Sequence, residues 1–170
     1  MYAVMYLPVA FNHLIRVDTV VEDKRFASVG AIVLRGDSVL LVRHTYGGAK
    51  GQLLNPSGYI KQGEMPLEAL KREILEETGI EINSLGLLAV RCSVKDWWLV
   101  FLAEYVSGEP RTDNYENSEV VFMPCDEAIL HKDVTDATKT LIKLAKEKKL
   151  FSVNEEYSSF QSSDGRIMFS

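Results

Sequence analysis

Glu73, Glu76 and Glu77 stand at spacings of i, i+3 and i+4, which on a helix gathers three carboxylates on neighbouring turns. At about 100° per residue, Leu67, Leu70 and Ile74 form an apolar arc, and the glutamates begin immediately beside it. They therefore belong at the edge of a core. Carboxylates held half-buried repel one another unless something positive neutralises them. A hard divalent cation that takes oxygen ligands is suited to that task, and Mg²⁺ or Mn²⁺ fits best. The same residues permit a second reading, a solvated helix face, because Glu68, Arg72 and Glu76 are spaced for i,i+4 ion pairs.

The elements that must position these carboxylates follow from turn and helix signals. Pro66 sits where a first helical residue is favoured and Gly79 where a helix ends, so one helix of about three to four turns lies between them. Upstream, residues 26–34 and 39–44 are aliphatic runs separated by Arg35-Gly36-Asp37-Ser38, a hairpin signal. The Arg35-Gly36-Asp37 triplet also spells an adhesion motif, but Gly and Asp are what a turn needs. Residues 46–51 hold three glycines and read as a loop, followed by a short strand at 52–54 and a turn at 55–58. Downstream, residues 81–94 and 97–106 read as strands around Lys95-Asp96, with a polar loop at 107–114 and a last strand at 120–123. Residues 134–148 place Val134, Ala137, Thr138, Leu141, Leu144 and Ala145 on one stripe, the mark of a second amphipathic helix. Hairpins and helices intermixed in one chain predict an α/β fold, a mixed sheet between helices.

The box from 58 to 80 carries a resemblance. Gly58 is followed by five residues, Glu64, seven residues, Arg72-Glu73, Ile74, one residue, Glu76-Glu77, one residue, Gly79 and Ile80. This pattern resembles the Nudix hydrolases with every defined position filled. Its chance occurrence is on the order of one in ten million from ordinary residue frequencies, which outweighs the solvated-face reading. The resemblance implies an α/β/α sandwich in which Glu73, Glu76 and Glu77 bind divalent metal, with Gly58 adding its backbone carbonyl. Glu64 and Arg72 match the family's structural ion pair; an incidental surface pair is the alternative.

The implied chemistry is hydrolysis of a pyrophosphate linkage in a nucleoside diphosphate joined to another group: a nucleotide sugar, a nucleoside triphosphate or a dinucleotide. Glu73, Glu76 and Glu77 are expected to act in catalysis through the metal. Proton removal from water needs a further carboxylate, from this helix or from a loop. Glu116, six residues ahead of Phe122, is the loop candidate, and Glu119 is its competitor. Arg43, His44 and Tyr46 border the Gly-rich loop, placed to touch phosphate or base; a strand-edge charge and a structural His are the plainer alternatives. Trp97 and Trp98 are candidates for base stacking, although alternation along a strand sends one ring to each face. Before the box, many members read Trp, then Leu-Pro-Gly-Gly; here the stretch is Gln52-Leu53-Leu54-Asn55-Pro56-Ser57-Gly58. The Pro expected about fifteen residues beyond the box in ADP-ribose-type members is also absent. No subfamily is thereby selected.

At 170 residues and a net charge of −5, the chain suits one domain and lacks the clustered Lys and Arg that a nucleic-acid polymer requires. The expected partner is a small nucleotide. Cys92 and Cys125 form neither a CxxC pair nor a disulfide framework, so reduced thiols in a cytoplasmic setting are expected. The apolar run at 1–11 is too short for a membrane span and lacks a basic lead, which predicts no membrane association. We divide the chain into an extension at 1–25, the hydrolase domain at 26–150 and a tail at 151–170 that holds Phe151, Tyr157, Phe160 and Phe169. Residues 1–21 form a candidate homodimer surface. A module that senses a nucleotide without cutting it is the second functional reading, against which the intact glutamates argue.

Overall fold

A computed structural model describes residues 26–112, 115–153 and 169–170. Strand β1 (Ala27–Arg35) turns through Gly36 and Asp37 into β2 (Ser38–His44). Two short strands, β3 (Leu53–Leu54) and β4 (Ser57–Tyr59), lead to helix α1 (Pro66–Thr78). Long strands β5 (Glu81–Cys92) and β6 (Trp97–Ser107) follow, then β7 (Asn117–Pro124). Helices α2 (Cys125–Leu130) and α3 (Asp136–Glu147) complete the domain.

The seven strands form one sheet of order β3-β2-β1-β6-β5, with β4 added to β1 and β7 to β2. β1 and β6 run parallel, whereas the β1–β2, β2–β7 and β5–β6 pairs are antiparallel, so the sheet is mixed. Alternation along β1 divides the core in two. Val29, Ala31 and Val33 meet Leu70 and Ile74 of α1 on one face. Ile32 on the other face meets Leu141, Ile142 and Ala145 of α3. A sheet whose central strands are buried on both faces requires helices on both, and the chain is an α/β sandwich with its mixed sheet between helices.

Four details depart from the sequence expectations. Ser57 and Gly58, read as part of a turn at 55–58, belong with Tyr59 to a strand that pairs with Ser28–Gly30 of β1; a strand made by non-local pairing leaves no local signal beyond its Pro and Gly. The six-residue α2 is too short to show a period. Gly47–Ala49 of the Gly-rich loop form one 3-10 turn. On α3, Ile142 is fully buried while Ala137 and Leu144 are exposed, so the buried stripe is Val134, Thr138, Leu141, Ile142 and Ala145.

Phe151 exchanges backbone hydrogen bonds with Leu87 at 2.8 and 2.9 Å, and the Phe169 ring meets Phe101 edge-on at 5.6 Å. Tyr157, Phe160 and the 1–21 surface lie outside the described residues. Among the described residues no helix is long and apolar enough to cross a membrane. Cys92 is exposed and Cys125 buried, both free thiols; burial pushes the Cys125 thiol up from its ordinary value.

Candidate active site

α1 begins as its sequence directs: Pro66 occupies the first turn, where its missing N–H costs nothing, and Glu68 accepts the Met65 N–H at 3.0 Å. It ends at Gly79, whose φ of 72° is left-handed and whose N–H donates to Leu75 O at 2.9 Å. A side chain at Gly79 would also run into Arg111 and the Glu109 carbonyl. The helix is thus held at both ends with Glu73 and Glu77 toward β4.

The three glutamates occupy three environments. Glu77 is 4% exposed and accepts the Ser57 N–H at 3.1 Å. Glu73 is half-buried, its carboxylate pressed against Gly58 so closely that a Cβ there would overlap it. Glu76 is exposed. Burial pushes the Glu73 carboxyl up from its ordinary value, while the Arg72 guanidinium pulls it back down.

Arg72 ties these groups together. Its Nε donates to Glu64 Oε1 at 2.7 Å and its Nη2 to Glu64 Oε2 at 2.8 Å, a two-pronged pair of the kind guanidinium geometry favours. Its Nη1 reaches Glu73 at 2.6 Å and Glu76 at 3.1 Å, and its Nη2 also donates to the Tyr59 carbonyl at 3.1 Å. Arg72 thereby pins the 59–64 loop to α1, and Glu64, paired with it, is held down to about 2.

The donors fit a hard cation in kind: carboxylate oxygens beside a backbone that only glycine leaves open. As they stand, Glu73 and Glu76 are turned onto Arg72, and among the described residues no three acidic, His or Cys side chains converge as a metal cage. Holding a cation requires these two carboxylates to exchange Arg72 for the metal.

The loop carboxylate Glu116 lies beside the end of the β2–β7 pair, where His44 is opposite Asn117. Thr45 N–H donates to the Glu116 carbonyl at 2.9 Å, and the Tyr46 hydroxyl donates to Glu116 Oε2 at 3.3 Å. Burial raises the Tyr46 phenol above its ordinary value, with Glu116, Glu77 and Tyr59 adding to the rise. Tyr46 therefore stands within electrostatic reach of both Glu116 and the α1 carboxylate Glu77. Thr45, Tyr46, Tyr115 and Glu116 line a cavity of about 360 Å³.

Other expected contacts lie elsewhere. Arg43 donates to Glu119 at 2.6 Å, to the Gly51 carbonyl at 2.7 Å and to Asp133 at 3.3 Å, so its guanidinium joins three chain segments. Its hydrogen bond to Glu119 raises it above its ordinary value. Glu119 is held by that contact, on β7 opposite Arg43. Trp97 and Trp98 divide between the faces as alternation requires. The Trp97 ring, 50% exposed, tilts against Phe26 at 5.7 Å. Trp98 lies under the Arg91 guanidinium at 5.0 Å, with its Nε1 against Gly30. Neither Trp lines the Tyr46 cavity.

Sequence reasoning passed over three features. Thr45 and Tyr115 are cavity residues flanking named candidates; the β2–β7 pairing that joins them was the signal needed. Asn55, 1% exposed, is wired to α3: its N–H donates to Thr138 Oγ1 at 3.3 Å, and that hydroxyl donates to Asn55 Oδ1 at 3.0 Å. Asn55 Nδ2 finds no partner in the structure.

Residues 24–145 match the NUDIX domain family. The chain is 28% identical over 108 residues to the NAD-capped RNA hydrolase NudC of Actinobacillus succinogenes, covering 60% of this chain and 41% of that protein. It is 35% identical over 86 residues to the 8-oxo-dGDP phosphatase NUDT18 of Danio rerio, covering 49% of this chain and 26% of that one. It thus spans well under half the length of these curated relatives. A NUDIX hydrolase from Nitrosomonas europaea superposes with a TM-score of 0.65 at 25% identity, over 84% of this chain and 100% of that one.

Proposed function

The chain belongs to the Nudix family, and from that premise we propose that it is a metal-dependent pyrophosphohydrolase acting on a nucleoside diphosphate linked to another group. Nucleotide sugars, nucleoside triphosphates and dinucleotides are the substrate classes. The observation that carries this reading is the α1 face on which Glu73 lies against Gly58 and Glu77 accepts the Ser57 N–H. Two relatives whose names place nucleotides among their substrates lend support.

In this reading Glu73, Glu76, Glu77 and the Gly58 carbonyl hold Mg²⁺ or Mn²⁺. Such a cation, when bound, neutralises the diphosphate and lowers the pKa of a bound water. The chain's own residues do the rest. Ser57 N–H fixes the Glu77 carboxylate, and Arg72 fixes the 59–64 loop that follows Gly58 through the Tyr59 carbonyl and Glu64. Glu116 accepts the proton of the attacking water, and the Tyr46 hydroxyl orients it. Glu119 is the weaker candidate for that role because Arg43 holds it at 2.6 Å. Arg43 itself acts chiefly as a staple, its Nε donating to Glu119 and its Nη1 to Gly51 and Asp133.

The test is phosphate release in Mg²⁺ across nucleotide sugars, (deoxy)nucleoside triphosphates and dinucleotides, with Glu77→Gln as control. Turnover by the wild type that Glu77→Gln abolishes supports a hydrolase. Binding of these nucleotides without release by the wild type identifies a sensor module and overturns the proposal.

A further inference from the structure

A guanidinium has five N–H groups, and those of Arg72 meet five acceptors that fall into two sets. Nε and Nη2 serve the loop: they donate to the two oxygens of Glu64 at 2.7 and 2.8 Å and to the Tyr59 carbonyl at 3.1 Å. Nη1 serves the helix alone, reaching Glu73 Oε1 at 2.6 Å and Glu76 Oε2 at 3.1 Å. One nitrogen thus bridges two carboxylates of α1. Were it to let go of both, the three contacts on the loop side would still hold the guanidinium where it is.

The bridge is covered unevenly. The Glu76 side chain is 57% exposed, whereas those of Arg72, Glu64 and Glu73 are at most 20% exposed. Water therefore screens the Glu76 contact and does much less for the one to Glu73. Two carboxylates within reach of one nitrogen repel each other, and a positive charge between them relieves the repulsion. Nη1 supplies that charge to the same two oxygens that a cation bridging Glu73 and Glu76 would use. A cation placed there would also meet the guanidinium charge at close range, where like charges oppose each other.

We propose that Arg72 is a built-in counter-cation that competes with the metal for Glu73 and Glu76. Exposed Glu76 leaves Nη1 first and Glu73 follows, while Nε and Nη2 stay on Glu64 and Tyr59. That a metal is the competitor rests on the hydrolase reading above. The consequence has a definite sign. A residue that only builds a metal site weakens binding when it is removed, whereas a competitor strengthens it. The other donors do not depend on Arg72 for their places: Gly58 is paired with Val29 of β1, and Glu77 is held by the Ser57 N–H.

Mn²⁺ alone, with no nucleotide, tests the exchange apart from turnover. Its dissociation constant would be measured on the full chain and on Arg72→Gln by electron paramagnetic resonance of the free ion, below the melting temperature of both. Arg72→Gln is expected to melt lower, since Glu64 loses its charged partner, and yet to bind Mn²⁺ at least about threefold more tightly. A smaller gain, a loss, or no binding by either protein at millimolar Mn²⁺ overturns the proposal. Should Arg72→Gln fail to fold, a crystal structure of the wild type with Mn²⁺ on α1 decides. Nη1 beyond hydrogen-bond reach of both Glu73 and Glu76, with Nε still on Glu64, supports the exchange; Nη1 retained on either carboxylate overturns it. Phosphate release by the wild type separates the two readings. Tighter Mn²⁺ binding by Arg72→Gln of a chain that hydrolyses nothing would keep the exchange and discard the hydrolase, and turnover without that tightening would do the reverse.

Discussion

Gly58 and Glu73 share a space that one methyl group would fill: the Glu73 carboxylate lies where a Cβ on Gly58 would have to be. Gly58 sits on β4 opposite Val29 of β1, so the strand cannot retreat without breaking its pairing. Glu73 must yield instead. Gly58→Ala is therefore expected to fold with a circular dichroism spectrum like that of the wild type while losing about two or more orders of magnitude in kcat, because displacing a carboxylate proposed to hold the metal would remove transition-state stabilisation. Turnover within threefold of wild type would show that Glu73 is not needed where the structure puts it.

Glu76 and Glu77 are separated by one position and by burial, and their glutamine variants should part company in stability but not in activity. Each is expected to lose about two or more orders of magnitude in kcat. Glu77→Gln alters a buried group that accepts the Ser57 N–H, for a cost of about 1 kcal/mol. Glu76→Gln changes an exposed group whose contact with Arg72 is one of several, and should stay within about 0.5 kcal/mol of wild type. Urea melts and initial rates on the same preparations check both halves. A folded Glu77→Gln protein with near-normal turnover would refute the assignment.

Glu116 and Glu119 differ in what holds them, which gives opposite signatures. Glu116→Gln is expected to reduce kcat by about two orders of magnitude or more, the usual worth of a general base, with little change in stability. Glu119→Gln takes the charged partner from Arg43, so it should lower stability by about 1 kcal/mol and leave kcat within a few-fold. Were the two phenotypes exchanged, Glu119 would be the base and Glu116 the structural group.

What the sequence disclosed and what it withheld divide by range along the chain. α1 was legible because Pro66, Gly79 and the Leu67, Leu70, Ile74 arc are local signals, and they also set its carboxylate face. The mixed sheet followed from hairpin turns and aliphatic runs. β4 was not legible, because its register with β1 depends on residues about thirty positions away. Nor was the fate of Arg43, whose partners Gly51, Glu119 and Asp133 come from three separate segments. Both loss and gain come from the same source: Tyr115 is seen to line the cavity beside Glu116 only once β2 and β7 are paired.

Glu64 makes the acid stability of this site measurable. Its pairing with Arg72 lowers it from 4.5 to about 2, so above about pH 4.5 the folded and unfolded chains both carry the ionised group and the pair contributes in full. As pH falls from there, the unfolded chain takes up a proton that the folded chain refuses. The contribution shrinks until pH is near 2 and is then gone. Glu64→Gln should cost on the order of 1 to 3 kcal/mol at pH 7, since it removes the charged partner of a two-pronged guanidinium contact. That difference from wild type should narrow steadily between pH 4.5 and 2. Glu73, pushed the other way by burial, contributes the opposite slope, but it is present in both proteins and largely cancels in the comparison. Urea midpoints at pH 7, 4, 3 and 2.5 read the difference directly. A gap that stays constant over this range would mean that Glu64 and Arg72 meet only loosely in solution, and that something else holds the 59–64 loop against α1.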